Sequence, residues 1–128
     1  MRSILTNDES LQILAVIQER SDPIIVPTLL VTEIASAVAR ASDDTGGALQ
    51  YANATAALPN LTLVSLTPAM AGGASQLAAT HRLRGADAVY LAVARRYATT
   101  LLSRDDEQLA RGSGIVFCQT PEEALSAR

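Results

Sequence analysis

The sequence predicts a single α/β domain of three layers, in which helices cover both faces of a central parallel β-sheet. Short apolar segments alternate with helical segments along the whole chain, and this alternation is typical of parallel sheets covered on both faces. The 128 residues are enough for one hydrophobic core. No repeat, linker or low-complexity tract divides the chain. We therefore expect one domain over residues 1–128.

The first half of the chain predicts three helices and two strands. In order, these are a helix over 11–20, a strand at 24–26, a helix over 28–40, a helix over 48–58 and a strand over 61–66. The first helix has a helical apolar stripe, and Asn7 or Asp8 can cap its start. Pro27 begins the second helix, because proline is favoured in the first turn. Pro59 ends the third.

The second half continues the alternation. The predicted elements are a helix over 68–81, a helix over 87–97, a strand at 100–103, a short helix over 106–111, a strand at 115–118 and a last helical turn capped by 120–123. Pro68 opens the first of these helices, and Gly72 and Gly73 weaken it, since glycine costs about 1 kcal/mol in a helix interior.

The charged residues limit the kinds of ligand that the chain as a whole can attract. The net charge is −3, so the chain as a whole does not attract nucleic acid electrostatically. All ten basic residues are arginines, and six of them lie within 81–111. Guanidinium groups suit phosphate, but mixed charge of this kind is also typical of a solvated surface.

The sequence contains no segment that targets a membrane. No apolar run approaches the roughly 18 residues that a spanning helix needs, and residues 1–20 lack the pattern of a signal peptide. Cys118 is the single cysteine, which excludes an internal disulfide framework. We expect a cytoplasmic protein without membrane association.

Three carboxylate side chains occupy positions where they could bind a metal ion or take part in catalysis. Glu33 and Asp87 lie on apolar helix faces, and Asp105 follows the strand at 100–103. Taken singly, each also has a structural interpretation. Glu33 can pair with Arg40, Asp87 can favour the N-terminal dipole of its helix, and Asp105 can cap the next helix together with Gln108.

Taken together, the three acids indicate a metal site. Functional groups gather at the carboxyl ends of strands in parallel sheets, and hard oxygen ligands bind Mg²⁺ or Mn²⁺. Such ions activate water and stabilise both oxygens of a phosphodiester displacement. The predicted chemistry is hydrolysis of a phosphodiester without a serine or cysteine nucleophile.

Four stretches of the chain carry a further pattern, namely IIVPTLLVTEIASAVAR (24–40), RLRGADAVYLAVAR (82–95), TLLSRDDEQLARG (100–112) and FCQTPEEAL (117–125). Together they resemble the PIN domain family, most closely the VapC-like toxins of bacterial toxin–antitoxin pairs. The resemblance implies a Mg²⁺- or Mn²⁺-dependent ribonuclease. Glu33, Asp87 and Asp105 fall on three acidic metal positions of the family, and Ser103 falls where the family usually has Thr or Ser near the metal. Asp106 either supports the site or caps the following helix.

The chain departs from the family at its start. The family begins with an apolar strand that ends in Asp, and that strand lies in the middle of a sheet of order 3-2-1-4-5. We expect this strand and its aspartate to be absent here, because the chain opens at MRSILTNDES. An alternative alignment takes residues 3–6 as the strand and Asp8 as the aspartate, which leaves few residues before Glu33.

The resemblance also implies partners. These are an RNA substrate, an antitoxin protein that blocks the site, and a second copy of the chain in a homodimer. Two other functions stay open at this point. One is a PIN-fold interaction module with a degenerate site, and the other is a structural domain in which the acids are caps and salt bridges.

Overall fold

A computed structural model describes residues 23–102, 106–120 and 123, with the backbone alone for 106–108. Its elements, in chain order, are β1 (Ile24–Pro27), α1 (Leu29–Ser42), α2 (Thr45–Ala56), β2 (Leu61–Val64), α3 (Pro68–His81), α4 (Gly85–Arg96), β3 (Leu101–Leu102), α5 (Asp106–Gly112) and β4 (Cys118–Gln119). The predicted helix over 11–20 lies outside the described residues. None of the helices just named is long and apolar enough to cross a membrane.

The strands pair in parallel, which confirms the α/β class. Ile24 of β1 lies opposite Leu61 of β2, and Leu101 of β3 lies opposite Cys118 of β4. Over the described ranges these are two separate two-stranded sheets. The expectation of an absent first strand concerns residues before Pro23, which are outside the described part of the chain.

Helix α4 lies at the centre of the core. It buries Ala88 and the continuous run 90–94, and it packs against β1 and also contacts β3. Its side chains therefore join the two strand pairs in one apolar cluster with Ile24, Leu30 and Leu101. An amphipathic helix exposes one face, whereas five successive buried residues show that α4 is covered on nearly all sides.

Local hydrogen bonds explain where several helices begin. The Asp44 side chain accepts from the amide of Gly47, and Thr67 accepts from the amide of Met70 at the start of α3. Thr120 and Glu123 bond reciprocally, amide to side chain in both directions. These two bonds confirm the predicted cap at 120–123.

Several predicted boundaries were wrong, and local hydrogen bonds explain three of the differences. Helix α2 begins at Thr45, before residue 48, because Asp44 caps it. β2 ends at Val64, before residue 66, because the amide of Thr67 turns back to the carbonyl of Ser65. β4 is at 118–119 and not at 115–118, since the amides of residues 115 and 116 both bond to the carbonyl of Gly112 in a turn.

Candidate active site

Glu33 borders the core on α1. The helix buries Leu30, Ile34 and Ala37, which are three or four residues apart, and Glu33 lies beside this stripe in a partly buried position. Burial raises the pKa of the Glu33 carboxyl, because the ionised form loses hydration. A carboxylate in this position needs a polar partner.

The structure supplies that partner from α4. The hydroxyl of Tyr90 donates a hydrogen bond to Oε1 of Glu33, and this bond partly offsets the rise in the pKa of Glu33. Tyr90 is fully buried. Burial, followed by the charge of Glu33, raises the pKa of Tyr90 above its ordinary value, so its hydroxyl stays protonated and remains a donor.

Sequence reasoning missed Tyr90. It considered Arg40, an exposed residue near the end of α1, as the partner for Glu33. The signal that points to Tyr90 is its place in the apolar stripe of Asp87, because a buried phenolic hydroxyl must find an acceptor. Since Glu33 and Tyr90 are 57 positions apart, no local pattern connects them.

Asp87 completes the described part of the site. It occupies the first turn of α4 and is partly buried, one helical turn before Tyr90 on the same face. Its negative charge raises the pKa of Glu33 and of Tyr90. The structure therefore brings Glu33 and Asp87 close enough for their charges to interact, although they belong to different helices.

The other predicted site residues have no described side chain. Ser103 and Asp105 are not among the described residues, and Asp106 begins α5 without a described side chain. Within the described ranges no three His, Cys, Asp or Glu side chains form a group that could hold a metal ion. The structure therefore brings together two of the three predicted acids.

The chemistry of these two carboxylates suits the binding of a divalent cation between them. Two carboxylates that raise the cost of each other's ionisation are stabilised when a cation lies between them. Their oxygens are the ligands that Mg²⁺ and Mn²⁺ prefer. Tyr90 holds one of the carboxylates in a single orientation, as partners of metal ligands commonly do.

Comparison with known proteins agrees with the resemblance in the sequence. The PIN domain family matches residues 3–113. No curated protein matches the chain. PIN domains are generally metal-dependent nucleases that act on nucleic acid. The two acids and strands β1, β2 and β3 lie within the matched range, and β4 follows it. The chain therefore belongs to the PIN domain family.

Proposed function

We propose that the chain is an endoribonuclease of the VapC toxin type that depends on Mg²⁺ or Mn²⁺. Glu33, Asp87 and Asp105 would hold the ion, with Ser103 and Asp106 beside it. The observation that carries the proposal is the pair of Glu33 and Asp87, whose charges interact in a partly buried position. Family membership supports the same chemistry.

Each side chain of the pair has a distinct part in this reaction. Glu33 and Asp87 would hold a divalent cation, whose chemistry would be to activate a water and to stabilise the charge that develops on the phosphate. Glu33 must be ionised to bind, and the hydroxyl of Tyr90 favours the ionised form. Asp87 sits at the N-terminus of α4, where the helix dipole favours its negative charge. The hydroxyl of Tyr90 thus acts against the burial that raises the pKa of Glu33.

Substitution of Asp87 by Asn tests the proposal. We expect the unmodified chain to bind Mn²⁺ by titration calorimetry and to cleave a fluorescently labelled single-stranded RNA. Asp87→Asn removes one charge with little change in shape, and we expect roughly 10-fold weaker Mn²⁺ binding or more, together with loss of cleavage.

Asp43→Asn is the matched control. Asp43 is exposed and follows α1 with φ 54°, a left-handed conformation that Asn also tolerates. This variant should bind Mn²⁺ and cleave RNA like the unmodified chain. Equal Mn²⁺ binding by Asp87→Asn and Asp43→Asn would contradict the proposal. A folded chain that binds no Mn²⁺ would favour the alternative, a PIN-fold interaction module.

The proposal includes the partners of a VapC-type toxin. These are an antitoxin protein that covers the site and a second copy of the chain, in the cytoplasm. Helix α2 packs along α1 and leaves Leu49 54% exposed, so that this apolar side chain can contact a second copy of the chain. Sedimentation equilibrium tests the homodimer, and Leu49→Asp should shift a dimer towards monomer if this surface forms the interface.

A further inference from the structure

Two adjoining cavities open at the end of α4 that lies away from Asp87. The first, of about 460 Å³, lies between the end of β2, the first turns of α3 and the last turn of α4. The second, of about 300 Å³, lies between the end of α4 and residues 115–117. Arg95 lines both cavities. It follows Asp87 by eight positions, which is about 12 Å along the helix axis.

The walls of these cavities are basic. Arg95 and Arg96 are exposed and both line the first cavity. Among the described residues that line either cavity there is no carboxylate. In a chain whose net charge is −3, this is a local concentration of positive charge. Guanidinium groups pair with phosphate oxygens through two parallel hydrogen bonds, so an anionic ligand with phosphate groups fits this wall.

Each cavity also presents an aromatic ring. Tyr97 lines the first and is 43% exposed, and Phe117 lines the second and is 67% exposed. The guanidinium carbon of Arg96 is 5.5 Å from the centre of the Tyr97 ring. Exposed rings beside arginines are the usual arrangement for stacking the bases of a single strand. A ring on each side of Arg95 would receive two bases, with one phosphate between them.

Gly73 explains part of the shape of the first cavity. Although glycine weakens a helix interior, α3 continues through it. A Cβ placed on Gly73 would lie 3.8 Å from Nη2 of Arg95, so the guanidinium of Arg95 rests over this position. Gly73 therefore lines the first cavity with its backbone alone, next to Arg95.

We propose that these cavities hold two successive nucleotides of a single-stranded RNA. Arg95 contacts the phosphate that joins them, and Tyr97 and Phe117 stack on their bases. The choice of RNA as the ligand rests on the proposed function, because the geometry alone requires only bases linked by phosphate. The cavities would then hold the substrate at a distance from the acids, and the cleavage site would hold its reacting phosphate.

Fluorescence anisotropy tests this proposal with a fluorescein-labelled RNA hexanucleotide in EDTA. We expect Arg95→Ala to weaken binding roughly 10-fold and to reduce the salt dependence by about one phosphate contact. Phe117→Ala should weaken binding by a similar factor through lost stacking. Arg84→Ala removes the same charge from an exposed position outside both cavities and should change the affinity less than 3-fold, by roughly the effect of overall charge.

The outcomes separate this proposal from the metal-dependent reaction. Calorimetry with Mn²⁺ on Arg95→Ala should match the unmodified chain, because Arg95 follows Asp87 by more than two turns of α4. Equal losses of RNA binding in Arg95→Ala and Arg84→Ala would overturn the proposal, as would full affinity in Phe117→Ala. Adenosine monophosphate that binds as tightly as the hexanucleotide would overturn the assignment to an RNA strand.

Discussion

Replacing Tyr90 by phenylalanine tests the contact on which the candidate site depends. The ring stays in place in the core, where Tyr90 is fully buried, and only the hydroxyl that donates to Glu33 is lost. We expect two effects. The Glu33 carboxyl loses the donor that favours its ionised form, so its pKa rises further above the ordinary value. The carboxylate also loses its fixed orientation.

The structure sets the size of these effects. A hydrogen bond to a charged group contributes about 1.5–3 kcal/mol, but Glu33 is only partly buried and water can replace part of the lost bond. We therefore expect the free energy of unfolding to fall by about 1–2 kcal/mol at neutral pH. Loss of a partner that orients a metal ligand weakens metal binding roughly 10- to 100-fold.

The pH dependence distinguishes the two effects. A proton competes with Mn²⁺ for Glu33, and it competes better when the pKa of Glu33 is higher. The loss of affinity in Tyr90→Phe should therefore be larger at pH 6 than at pH 8, where only the loss of orientation remains. Calorimetric titration with Mn²⁺ at several pH values measures both the loss of affinity and its dependence on pH.

Tyr51→Phe is the matched control for this experiment. Tyr51 is 39% exposed on α2, so removal of its hydroxyl should change neither the stability nor Mn²⁺ binding. If Tyr90→Phe binds Mn²⁺ with the same affinity and the same pH dependence as the unmodified chain, Tyr90 does not position Glu33. A loss of affinity that is equal at pH 6 and pH 8 would refute the argument from proton competition.

Three further predictions concern stability, each measured by urea unfolding. Because the pKa of Glu33 is raised from 4.5 in the folded chain, the unmodified chain should lose stability in EDTA as the pH rises from about 4.5 through the folded pKa. Glu33→Gln should not lose stability over this pH range. If the free energy of unfolding changes with pH in the same way in both chains, the prediction is wrong. Asp44→Ala removes the cap of α2 and should cost about 1 kcal/mol, whereas Asp44→Ser should cost less. Gly112→Ala places a Cβ 3.3 Å from Sγ of Cys118 and should cost about 1 kcal/mol; Cys118→Ala in the same chain should recover part of this loss.

Much of the fold was predictable because its signals are local. Thr67 and Pro68 begin α3, and the predicted helix over 68–81 has the observed bounds. Gly72 and Gly73 do not end it, since packing against α4 outweighs their low propensity. The position of β4 was not predictable, because it depends on two amides that bond to the carbonyl of Gly112. The apolar run 115–118 does not by itself show which of its residues form the turn and which form the strand.

The candidate site was also predictable in its local features and not in its contacts between distant residues. The sequence places Glu33 beside an apolar stripe and Asp87 in a first helical turn, and the structure confirms both positions. The grouping of the two acids, and the bond from Tyr90, depend on how α1 and α4 pack together. Contacts between distant helices follow from the shape of the whole core, and a single sequence carries no local signal for them.

Helix α4 links the candidate site to the two cavities, and its burial makes that link rigid. It carries Asp87 and Tyr90 towards one end and Arg95 at the other. The run 90–94 between them is buried, so α4 cannot turn or shift without disturbing the core. A substitution that loosens the core should therefore weaken Mn²⁺ binding and RNA binding together. Tyr90→Phe keeps the ring in the core and removes one hydroxyl, so it should weaken Mn²⁺ binding and leave RNA binding in EDTA unchanged. Loss of both activities in Tyr90→Phe would mean that the hydroxyl supports the position of α4 and does not act through Glu33 alone.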